Sequence, residues 1–465
     1  MAKPLQPRKR IAIIGAGWAG CAAAVELAGR GHQVSLLEAS RTLGGRARKV
    51  ESQGKPLDNG QHILLGAYTE SLRLMRKVGV DTDSALLRLP LQMCYPPGSD
   101  GMHFAAPRLP APLHLLSALL RATGLSRADK MSLARFSTTA RWMGWQLYQD
   151  CSVSELLQRF DQTERLSRLM WTPLCIAALN TPPERASAQV FLNVLRDSLG
   201  AKRAASDMLL PRTDLSTLFP EHASQFVQAH GGEVLCGRTV KKIRCSASAD
   251  WTLDTANGGA DRQLEGYDAV VVATGAETAA GLLAGLVADL PAASGNTEGT
   301  PALPSFNYEP ITTCYLQYDA GLRLPRPFFA LRDEPEAGNW GQFVFDRGQL
   351  NADQAGLLAV VVSASNEAIA LGSEALAAAI ANQLAQSLGM QALATPLWQQ
   401  VISEKRATFS CTPGLVRPPN QTAVPGLWIA GDYTAGDYPA TLEAAVRSGT
   451  QAATEAALQL SGQAA

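Results

Sequence analysis

The first fifty residues carry the pattern that most constrains the fold of this chain. The segment RIAIIGAG, at residues 10–17, is a short apolar run that ends in glycines, and small or apolar residues at helical spacing follow it up to Gly31. A second apolar run, QVSLLE, occupies residues 33–38. Strand, glycine turn, helix and strand in this order form a βαβ unit, so we predict a parallel sheet that starts here.

The turn after the first strand has the spacing GxGxxG. We expect Gly15 to allow the tight turn, Gly17 to let a diphosphate approach the backbone, and Gly20 to let helix and strand pack closely. Glu38 ends the second strand and is placed to accept hydrogen bonds from a ribose. The unit therefore predicts a dinucleotide site. The residues assigned to it here are Gly15, Ala16, Gly17, Trp18, Ala19, Gly20, Glu38 and Ala39.

The overall composition narrows the class of protein. Lys plus Arg and Asp plus Glu number 41 each in 465 residues, so nothing in the net charge calls for nucleic acid. The eight cysteines show no CxxC pair and no metal-like cluster, which is typical of reduced thiols in the cytoplasm. No uncharged apolar stretch reaches the roughly 18 residues of a membrane-spanning helix. We expect a cytoplasmic protein without a metal, soluble or bound to a membrane surface.

Two further motifs decide between FAD and NAD. A second glycine pair with an attached arginine, Gly44, Gly45 and Arg46, follows Glu38. Near the other end, AGDYTAGDYPATLEAAVRSG at residues 430–449 reads as a strand end, a loop and a small-residue helix. Together the motifs resemble the extended FAD signature of the flavin amine oxidase and carotenoid desaturase superfamily. The resemblance implies that FAD is the cofactor.

The resemblance also implies roles for residues outside the first unit. In this superfamily the Asp that corresponds to Asp432 contacts the ribityl chain or diphosphate, and the final helix points its N-terminus at the flavin ring, with Thr441 as its candidate cap. A valine at the position of Val240 holds the adenine, and a loop like NGQH lies near the flavin. The further residues assigned to FAD are Gly44, Gly45, Arg46, Gln61, His62, Val240, Ala273, Gly275, Gly431, Asp432, Thr441 and Leu442.

These motifs are spread over three parts of the chain. We predict an α/β fold with a discontinuous, Rossmann-like FAD-binding domain at residues 1–80, 205–280 and 405–465. Residues 81–204 and 281–404 would form an inserted α+β substrate domain, in the arrangement of the amine oxidases. Within it, strands are predicted at 309–319, 342–346 and 357–365, a helix at 373–388, and a loop at 291–305.

Residues 101–149 have a distinct composition. They contain six basic residues and one acidic residue, Asp129, interleaved with leucines and tryptophans. A basic amphipathic surface of this kind docks on anionic lipid, which would place the protein on the inner face of the cell membrane. A helical lid whose apolar face is simply core explains the pattern equally well. The basic residues are Arg108, Arg121, Arg127, Lys130, Arg135 and Arg141.

Segments in the middle of the chain give a narrower resemblance. LDNGQHILLGAYTESLRLMRKVG at 57–79 and MWTPLCIAALNTPPERASAQVF at 170–191 are similar to the hydroxysqualene dehydroxylases of bacterial hopanoid synthesis. That family is understood to replace the hydroxyl of hydroxysqualene with hydrogen, which implies a long isoprenoid substrate and an unidentified electron donor. Two alternatives stay open: a phytoene or carotene desaturase, and a prenyl-lipid carrier of the same fold without flavin. An amine substrate is disfavoured, because Thr441 stands where amine oxidases carry an aromatic residue.

Loss of an allylic hydroxyl as water requires a proton donor near the leaving oxygen. Candidate catalytic residues are few. Asp58 and His62 flank the NGQH loop, and Asp437 and Tyr438 precede the final helix. A carboxylate that satisfies loop N–H groups is the alternative role for Asp58, and contact with the flavin is the alternative for His62.

Overall fold

A computed structural model describes residues 8–246, 250–258, 260–289 and 303–462 of the chain. Its strands are β1 (Arg10–Ile14), β2 (Gln33–Glu38), β3 (Lys49–Ser52), β4 (Lys55–Asp58), β5 (Leu64–Leu65), β6 (Leu86–Leu89), β7 (Gln92–Cys94), β8 (His103–Ala105), β9 (Met208–Pro211), β10 (Glu233–Cys236), β11 (Thr239–Cys245), β12 (Trp251–Asn257), β13 (Ala260–Tyr267), β14 (Ala269–Val272), β15 (Tyr308–Gln317), β16 (Phe328–Ala330), β17 (Phe343–Asp346), β18 (Leu357–Ser363), β19 (Trp398–Phe409) and β20 (Leu427–Ile429).

Helices are spread through all parts of the chain. They are α1 (Trp18–Gly29), α2 (Thr69–Lys77), α3 (Thr82–Ala85), α4 (Leu113–Arg121), α5 (Arg127–Trp142), α6 (Val153–Arg159), α7 (Glu164–Leu166), α8 (Thr172–Leu179), α9 (Ala188–Ser198), α10 (Leu215–Leu218), α11 (Pro220–Ala229), α12 (Ala276–Asp289), α13 (Asn366–Ala370), α14 (Ser373–Leu388) and α15 (Leu442–Leu460).

The predicted parallel sheet is present and has five strands. Their order is β10-β2-β1-β14-β20, and each neighbouring pair runs parallel. Counted along the chain, this is the order 3-2-1-4-5 of a doubly wound nucleotide-binding sheet. In such a sheet, ligands bind outside the carboxyl ends of the strands where the strand order reverses. Here that point lies between β1 and β14.

Small residues allow the helices of this sheet to pack closely. Helix α1 is buried from Trp18 to Ala28, on all its sides, which is typical of a helix enclosed by other elements. Helix α15 crosses it so closely that a Cβ on Gly449 would lie 2.0 Å from the carbonyl oxygen of Ala19. The small Ala and Gly residues near both termini therefore allow close helix packing, in addition to forming the glycine loops.

A three-stranded antiparallel sheet, β11-β12-β13, extends from this unit. The predicted hairpin is present, and Gly258 in its turn has φ +58°, the left-handed conformation that glycine favours. Strand β12 alternates buried and half-buried residues, with Trp251 and Leu253 in the core.

A second five-stranded sheet also contributes residues to the cavity described below. It is antiparallel, with the order β16-β17-β18-β15-β19, and α14 packs on it. The strands and helix predicted at 309–319, 342–346, 357–365 and 373–388 all occur there. The division into two domains stays a prediction, and its boundaries at 280 and 404 fall inside α12 and β19. Most of the loop predicted at 291–305 lies outside the described residues.

Helices α4 to α9 contribute buried side chains to one hydrophobic core, which also contains residues of the second sheet. Three aromatic rings in it link α5 to α9: the ring centroids of Phe136 and Trp171 lie 4.6 Å apart, and those of Trp171 and Phe191 lie 6.2 Å apart. Helix α5 starts with a capping box, in which Ser126 and Asp129 each bind the backbone N–H of the other.

Candidate functional site

The first glycine motif forms a cradle at the carboxyl end of β1. Gly15 has φ +101°, and a Cβ there would lie 2.6 Å from the carbonyl oxygen of Ala273. A Cβ on Gly20 would lie 1.8 Å from the carbonyl oxygen of Gly15. At Gly17, by contrast, the nearest atom to a Cβ would be the Cα of Gly45, at 3.8 Å. Gly15 and Gly20 therefore lie where any larger residue would clash with the backbone. Gly17 instead leaves open space in front of α1.

The second glycine loop lies directly against the first. The backbone N–H of Gly44 donates to the carbonyl oxygen of Ala16 at 2.9 Å, and Gly45 has φ +64°. Helix α1 begins beside both loops, and no side chain caps its first N–H groups. Free N–H groups and the positive end of a helix dipole together favour a phosphate at this place.

The carboxylate of Glu38 borders the same cradle. One of its oxygens accepts from the backbone N–H of Ala16 and the other from that of Ser40, each at 2.8 Å. An ionised carboxylate has about four acceptor positions, so both oxygens keep capacity for ribose hydroxyls. The two backbone bonds fix the group where the sequence predicts the ribose.

Arg46 joins the N-terminal and C-terminal motifs. Its Nη2 donates to both carboxylate oxygens of Asp432, at 2.6 and 2.7 Å, and its Nη1 donates to the carbonyl oxygen of Ala407 at 2.5 Å. Burial lowers the pKa of Arg46, but the neighbouring Asp432 outweighs burial and raises that pKa, so Arg46 keeps its proton. Charge-assisted hydrogen bonds are roughly twice as strong as neutral ones. Two predicted cofactor residues, 386 positions apart, are thus held together.

The final helix begins at the wall of the same space. Thr441 is its N-cap, as predicted, and the threonine hydroxyl oxygen accepts from the N–H of Ala444 at 3.2 Å. Thr441 and Leu442 line the cavity described next, so the positive end of a 19-residue helix faces it. A helix end of this kind stabilises negative charge.

One continuous cavity of about 1070 Å³ connects these groups. A pocket for one small molecule has roughly 300–1,000 Å³, so this cavity exceeds the usual range. Of the predicted cofactor residues, Ala16 and Gly20 are packed behind its wall. Those that line it are Gly15, Gly17, Trp18, Ala19, Glu38, Ala39, Gly44, Gly45, Arg46, Gln61, His62, Val240, Ala273, Gly275, Gly431, Asp432, Thr441 and Leu442.

The residues of the cradle fit FAD. Besides the open space at Gly17, the wall contains Tyr433, which is 3% exposed and whose hydroxyl has no hydrogen-bond partner among the described residues. A buried hydroxyl without a partner is unfavourable by about 1–3 kcal/mol, and a polar ligand beside it would remove that penalty. The sequence reasoning missed Tyr433, although it lies next to the predicted Asp432.

Two of the four candidate proton donors do not reach the cavity wall. Asp58 is 3% exposed, accepts from the N–H of Leu215 at 2.8 Å, and lies 3.8 Å from Nη2 of Arg347. Burial raises the pKa of Asp58 to about 6, although Arg347 and Leu215 oppose the shift. Asp437 has a mostly exposed side chain that faces Arg196 at 3.4 Å. Neither carboxylate is among the residues that line the cavity.

His62 and Tyr438 do line the cavity. Nδ1 of His62 lies 2.8 Å from the carbonyl oxygen of Gly60, and because a carbonyl only accepts, Nδ1 carries the proton. Burial lowers the pKa of His62, so the ring is neutral and its Nε2 is an acceptor. The hydroxyl of Tyr438 donates to Oδ2 of Asp197 at 2.6 Å. Asp197 also lines the cavity, and the sequence reasoning did not identify it.

The rest of the cavity wall is largely apolar. Its side chains come from the β7 and β8 region, from α4, α5, α8, α9 and the turn before α8, and from the second sheet, which are spread over the chain. No local motif marks these residues, so the sequence could not single them out. They include Leu91, Met93, Phe104, Leu115, Leu119, Leu133, Met170, Trp171, Leu174, Phe343 and Phe345.

Residues 101–149 present an apolar outer surface. Leu116 of α4 is 52% exposed and also lines the cavity, as does the exposed Arg141 of α5, so the cavity reaches the surface here. Phe136 and Leu133 of α5 are buried. No helix in the described part of the chain is long and apolar enough to cross a bilayer. Of ten large apolar side chains found exposed in that part, seven lie here: Leu109, Leu113, Leu116, Leu120, Met131, Trp142 and Tyr148.

Known proteins resemble the chain over nearly its whole length. The profile of the family described as "Flavin containing amine oxidoreductase" matches residues 18–457. A Rhodopseudomonas palustris protein named hydroxysqualene dehydroxylase is 30% identical, over 96% of this chain and 97% of that protein. A Synechococcus elongatus protein named probable zeta-carotene desaturase is 24% identical, over 96% and 98%. The structure of cyclohexylamine oxidase from Brevibacterium oxydans, 18% identical, matches with a TM-score of 0.62 over 98% of this chain and 100% of that one.

These similarities confirm several of the predictions. The α/β fold of the amine oxidases, the resemblance to hydroxysqualene dehydroxylases, FAD as the cofactor and an FAD-dependent oxidoreductase are all borne out.

Proposed function

We propose that this chain, which belongs to the flavin-containing amine oxidoreductase family, reduces hydroxysqualene to squalene. The observation that carries the proposal is the single cavity that joins the glycine cradle to a largely apolar chamber. A flavin ring at the start of α15 and a long hydrocarbon would share that space. Relatives named hydroxysqualene dehydroxylase favour this substrate, and Thr441 at the position of the amine oxidase aromatic residue argues against an amine.

FAD would lie along the described cradle. We assign its diphosphate to the two glycine loops and the free N–H groups of α1, and its adenosine ribose to Glu38. The backbone of Val240 would hold the adenine. Arg46 and Asp432 would contact the ribityl chain and diphosphate. The unpaired hydroxyl of Tyr433 would form a hydrogen bond with the same part of the cofactor. When bound in its reduced form, FAD supplies the hydride.

The proposed reaction replaces a carbon–oxygen bond with a carbon–hydrogen bond. One alcohol, two electrons and two protons give one hydrocarbon and one water. The alcohol is allylic, so the cation left when water departs is delocalised over the double bond. Apolar residues such as Met170, Trp171 and Leu174 would exclude bulk water, which would otherwise return to the cation.

We place the polar end of the substrate near His62 and Tyr438, the two candidates on the cavity wall. The neutral ring of His62 presents an acceptor there, and Tyr438 presents a phenol whose pKa burial raises, so it keeps its proton at neutral pH. Asp58 and Asp437 would act on the substrate only through intervening groups.

Desaturation of phytoene or a related carotenoid is the second candidate function. It is favoured by the relative named probable zeta-carotene desaturase, which is matched over almost the same span. Both reactions use one flavin and one long isoprenoid, but electrons flow in opposite directions.

Anaerobic single-turnover experiments separate the two candidates. Photoreduced holoprotein, in which light replaces the unidentified electron donor, is mixed with hydroxysqualene, and flavin absorbance and products are followed together. We expect one squalene per flavin reoxidised. If no squalene forms, and oxidised holoprotein instead desaturates phytoene, the proposal is wrong and the second candidate replaces it.

We also propose that residues 101–149 dock on an anionic bilayer. The surface combines exposed apolar side chains with the exposed basic residues Arg121, Arg127, Arg135 and Arg141, and the cavity reaches the surface at Leu116. Such a surface is typical of peripheral attachment, and it would let a lipid-soluble substrate pass from bilayer to cavity. The eight free cysteines favour the cytoplasmic side of the membrane.

Vesicle sedimentation tests this docking. The variant Leu120→Ser/Trp142→Ser removes two exposed apolar side chains from the surface, and Leu397→Ser/Val416→Ser removes two that are similarly exposed elsewhere. We expect the first variant to bind phosphatidylserine-containing vesicles at least about 100-fold more weakly than wild type, because it loses two apolar side chains that each contribute about 1.5–3 kcal/mol when buried. The second variant should bind normally. Equal binding by both variants would contradict the docking surface.

A further inference from the structure

A half-buried carboxylate, Asp197, and a buried phenol, Tyr438, form a pair on the cavity wall where α9 meets the loop before α15. Asp197 lies at the C-terminal end of α9, and the hydroxyl of Tyr438 donates to its Oδ2 at 2.6 Å. Both residues line the cavity, as do Leu195 and Thr441 beside them. The pair therefore lies close to the helix end that faces the proposed flavin ring.

The charges around the pair keep Asp197 ionised. Nε of Arg196 donates to Oδ1 at 2.7 Å, and its Nη2 lies 3.3 Å from Oδ2. Burial raises the pKa of Asp197, but the bonds from Arg196 and Tyr438 outweigh burial and lower it. On the other side, the guanidinium of Arg447 lies over the ring of Tyr438 at 4.7 Å and is paired with Glu443. Asp437 faces Arg196 from outside.

The hydrogen-bond positions left free on Asp197 and Tyr438 determine what this pair can bind. An ionised carboxylate has about four acceptor positions, of which Arg196 and Tyr438 occupy three. The hydroxyl of Tyr438 donates its only hydrogen to Asp197, so toward a bound ligand its oxygen can only accept a hydrogen bond. The pair offers open acceptors and no donor, and its natural partner is a group that donates one hydrogen bond, such as an alcohol.

We propose that Asp197 and Tyr438 form the subsite that binds the hydroxyl group of the substrate and selects an alcohol over a hydrocarbon. This inference rests on the proposed function and deepens it. The substrate hydroxyl donates to the pair, which fixes the carbon–oxygen bond near the start of α15. A hydrocarbon leaves the acceptors unpaired, and sites built to bind a hydroxyl reject analogues that lack it. Tyr438 and Asp197 thus recognise the leaving group before it departs.

Binding to the oxidised holoenzyme tests the subsite without turnover. The dissociation constants of hydroxysqualene and squalene are measured from changes in flavin absorbance, for wild type, Asp197→Asn and Tyr438→Phe. We expect either variant to bind hydroxysqualene about 10- to 100-fold more weakly and squalene within about twofold of wild type. In Tyr318→Phe, which loses a phenol hydrogen bond of 2.7 Å to Leu393 away from the cavity, the ratio of the two constants should not change.

The outcomes separate this inference from the proposed function. If wild type converts hydroxysqualene to squalene but both variants keep its preference for the alcohol, the subsite is wrong and the function stands. If wild type shows no preference and forms no squalene, the proposed function itself fails. Equal loss of affinity for hydroxysqualene and squalene in a variant would mean that the substitution disrupts the cavity as a whole. That result would also contradict the subsite. The double variant should be no weaker than the weaker single variant, because the pair acts as one unit.

Discussion

Replacing Gly17 with alanine tests the cradle most directly. Gly17 has φ −70° and ψ 178°, a conformation that alanine adopts freely, and the nearest atom to the new Cβ is 3.8 Å away. The apoprotein should therefore fold with unchanged stability. The methyl group would occupy the open space in front of α1, where we place the diphosphate.

The expected loss of FAD affinity follows from the bonds at this point. Displacing the diphosphate would break about two charge-assisted hydrogen bonds to backbone N–H groups, each contributing about 1.5–3 kcal/mol. Even the smallest of these losses, about 3 kcal/mol, corresponds to a dissociation constant that is at least roughly 100-fold higher. The assay is titration of apoprotein with FAD, followed by flavin fluorescence, beside urea unfolding of each apoprotein.

Gly321 supplies a control, because a Cβ there would meet nothing within 4 Å and Gly321 is not among the residues that line the cavity. Gly321→Ala should leave both FAD affinity and stability unchanged. Wild-type FAD affinity in Gly17→Ala would refute the placement of the diphosphate. Loss of the fold would refute the geometric reasoning about the open space.

Three further changes probe packing, capping and a buried charge. Gly449→Ala puts a Cβ 2.0 Å from the carbonyl oxygen of Ala19, so the free energy of unfolding in urea should fall by about 1–3 kcal/mol, and an unchanged value would mean that α1 and α15 can separate. Ser126→Ala removes the N-cap of α5 and should lower thermal stability by about 1 kcal/mol, with Ser126→Thr restoring most of it. The pKa of Asp58 is raised from 3.8 to about 6, so the stability from its protonated form is lost as pH rises through that range. Compared with Asp58→Asn, wild type should lose up to about 3 kcal/mol between about pH 4 and pH 7, and a difference in unfolding free energy that is independent of pH would contradict the burial argument.

The sequence predicted the elements around the cofactor well because their signals are local. GxGxxG between two apolar runs requires a tight turn, and the structure gives Gly15 and Gly20 the packing roles that the spacing implied. The cap at Thr441 and the strands of the second sheet were also readable from short segments.

Proton donors were harder to predict, because whether a side chain reaches the cavity depends on the direction in which it points. Asp58 ends β4 only four positions before His62, yet its carboxylate turns away from the cavity toward Leu215 and Arg347. Asp437 and Tyr438 are adjacent in sequence, but only Tyr438 lines the cavity. Neighbouring residues of a loop point to different sides, and sequence alone does not say which side is inside.

By itself, the sequence determined the parallel sheet and the glycine cradle, since both depend on backbone conformations that only a few residue types in a fixed order adopt. Its resemblance to a known superfamily implied FAD. The tertiary structure alone decided which distant groups meet. Asp197 joins Tyr438 across 241 positions, and Arg46 joins Asp432 across 386. The apolar chamber and its mouth at α4 and α5 also arise only when helices and the second sheet pack together, because burial is a property of the assembled surfaces and not of any one segment.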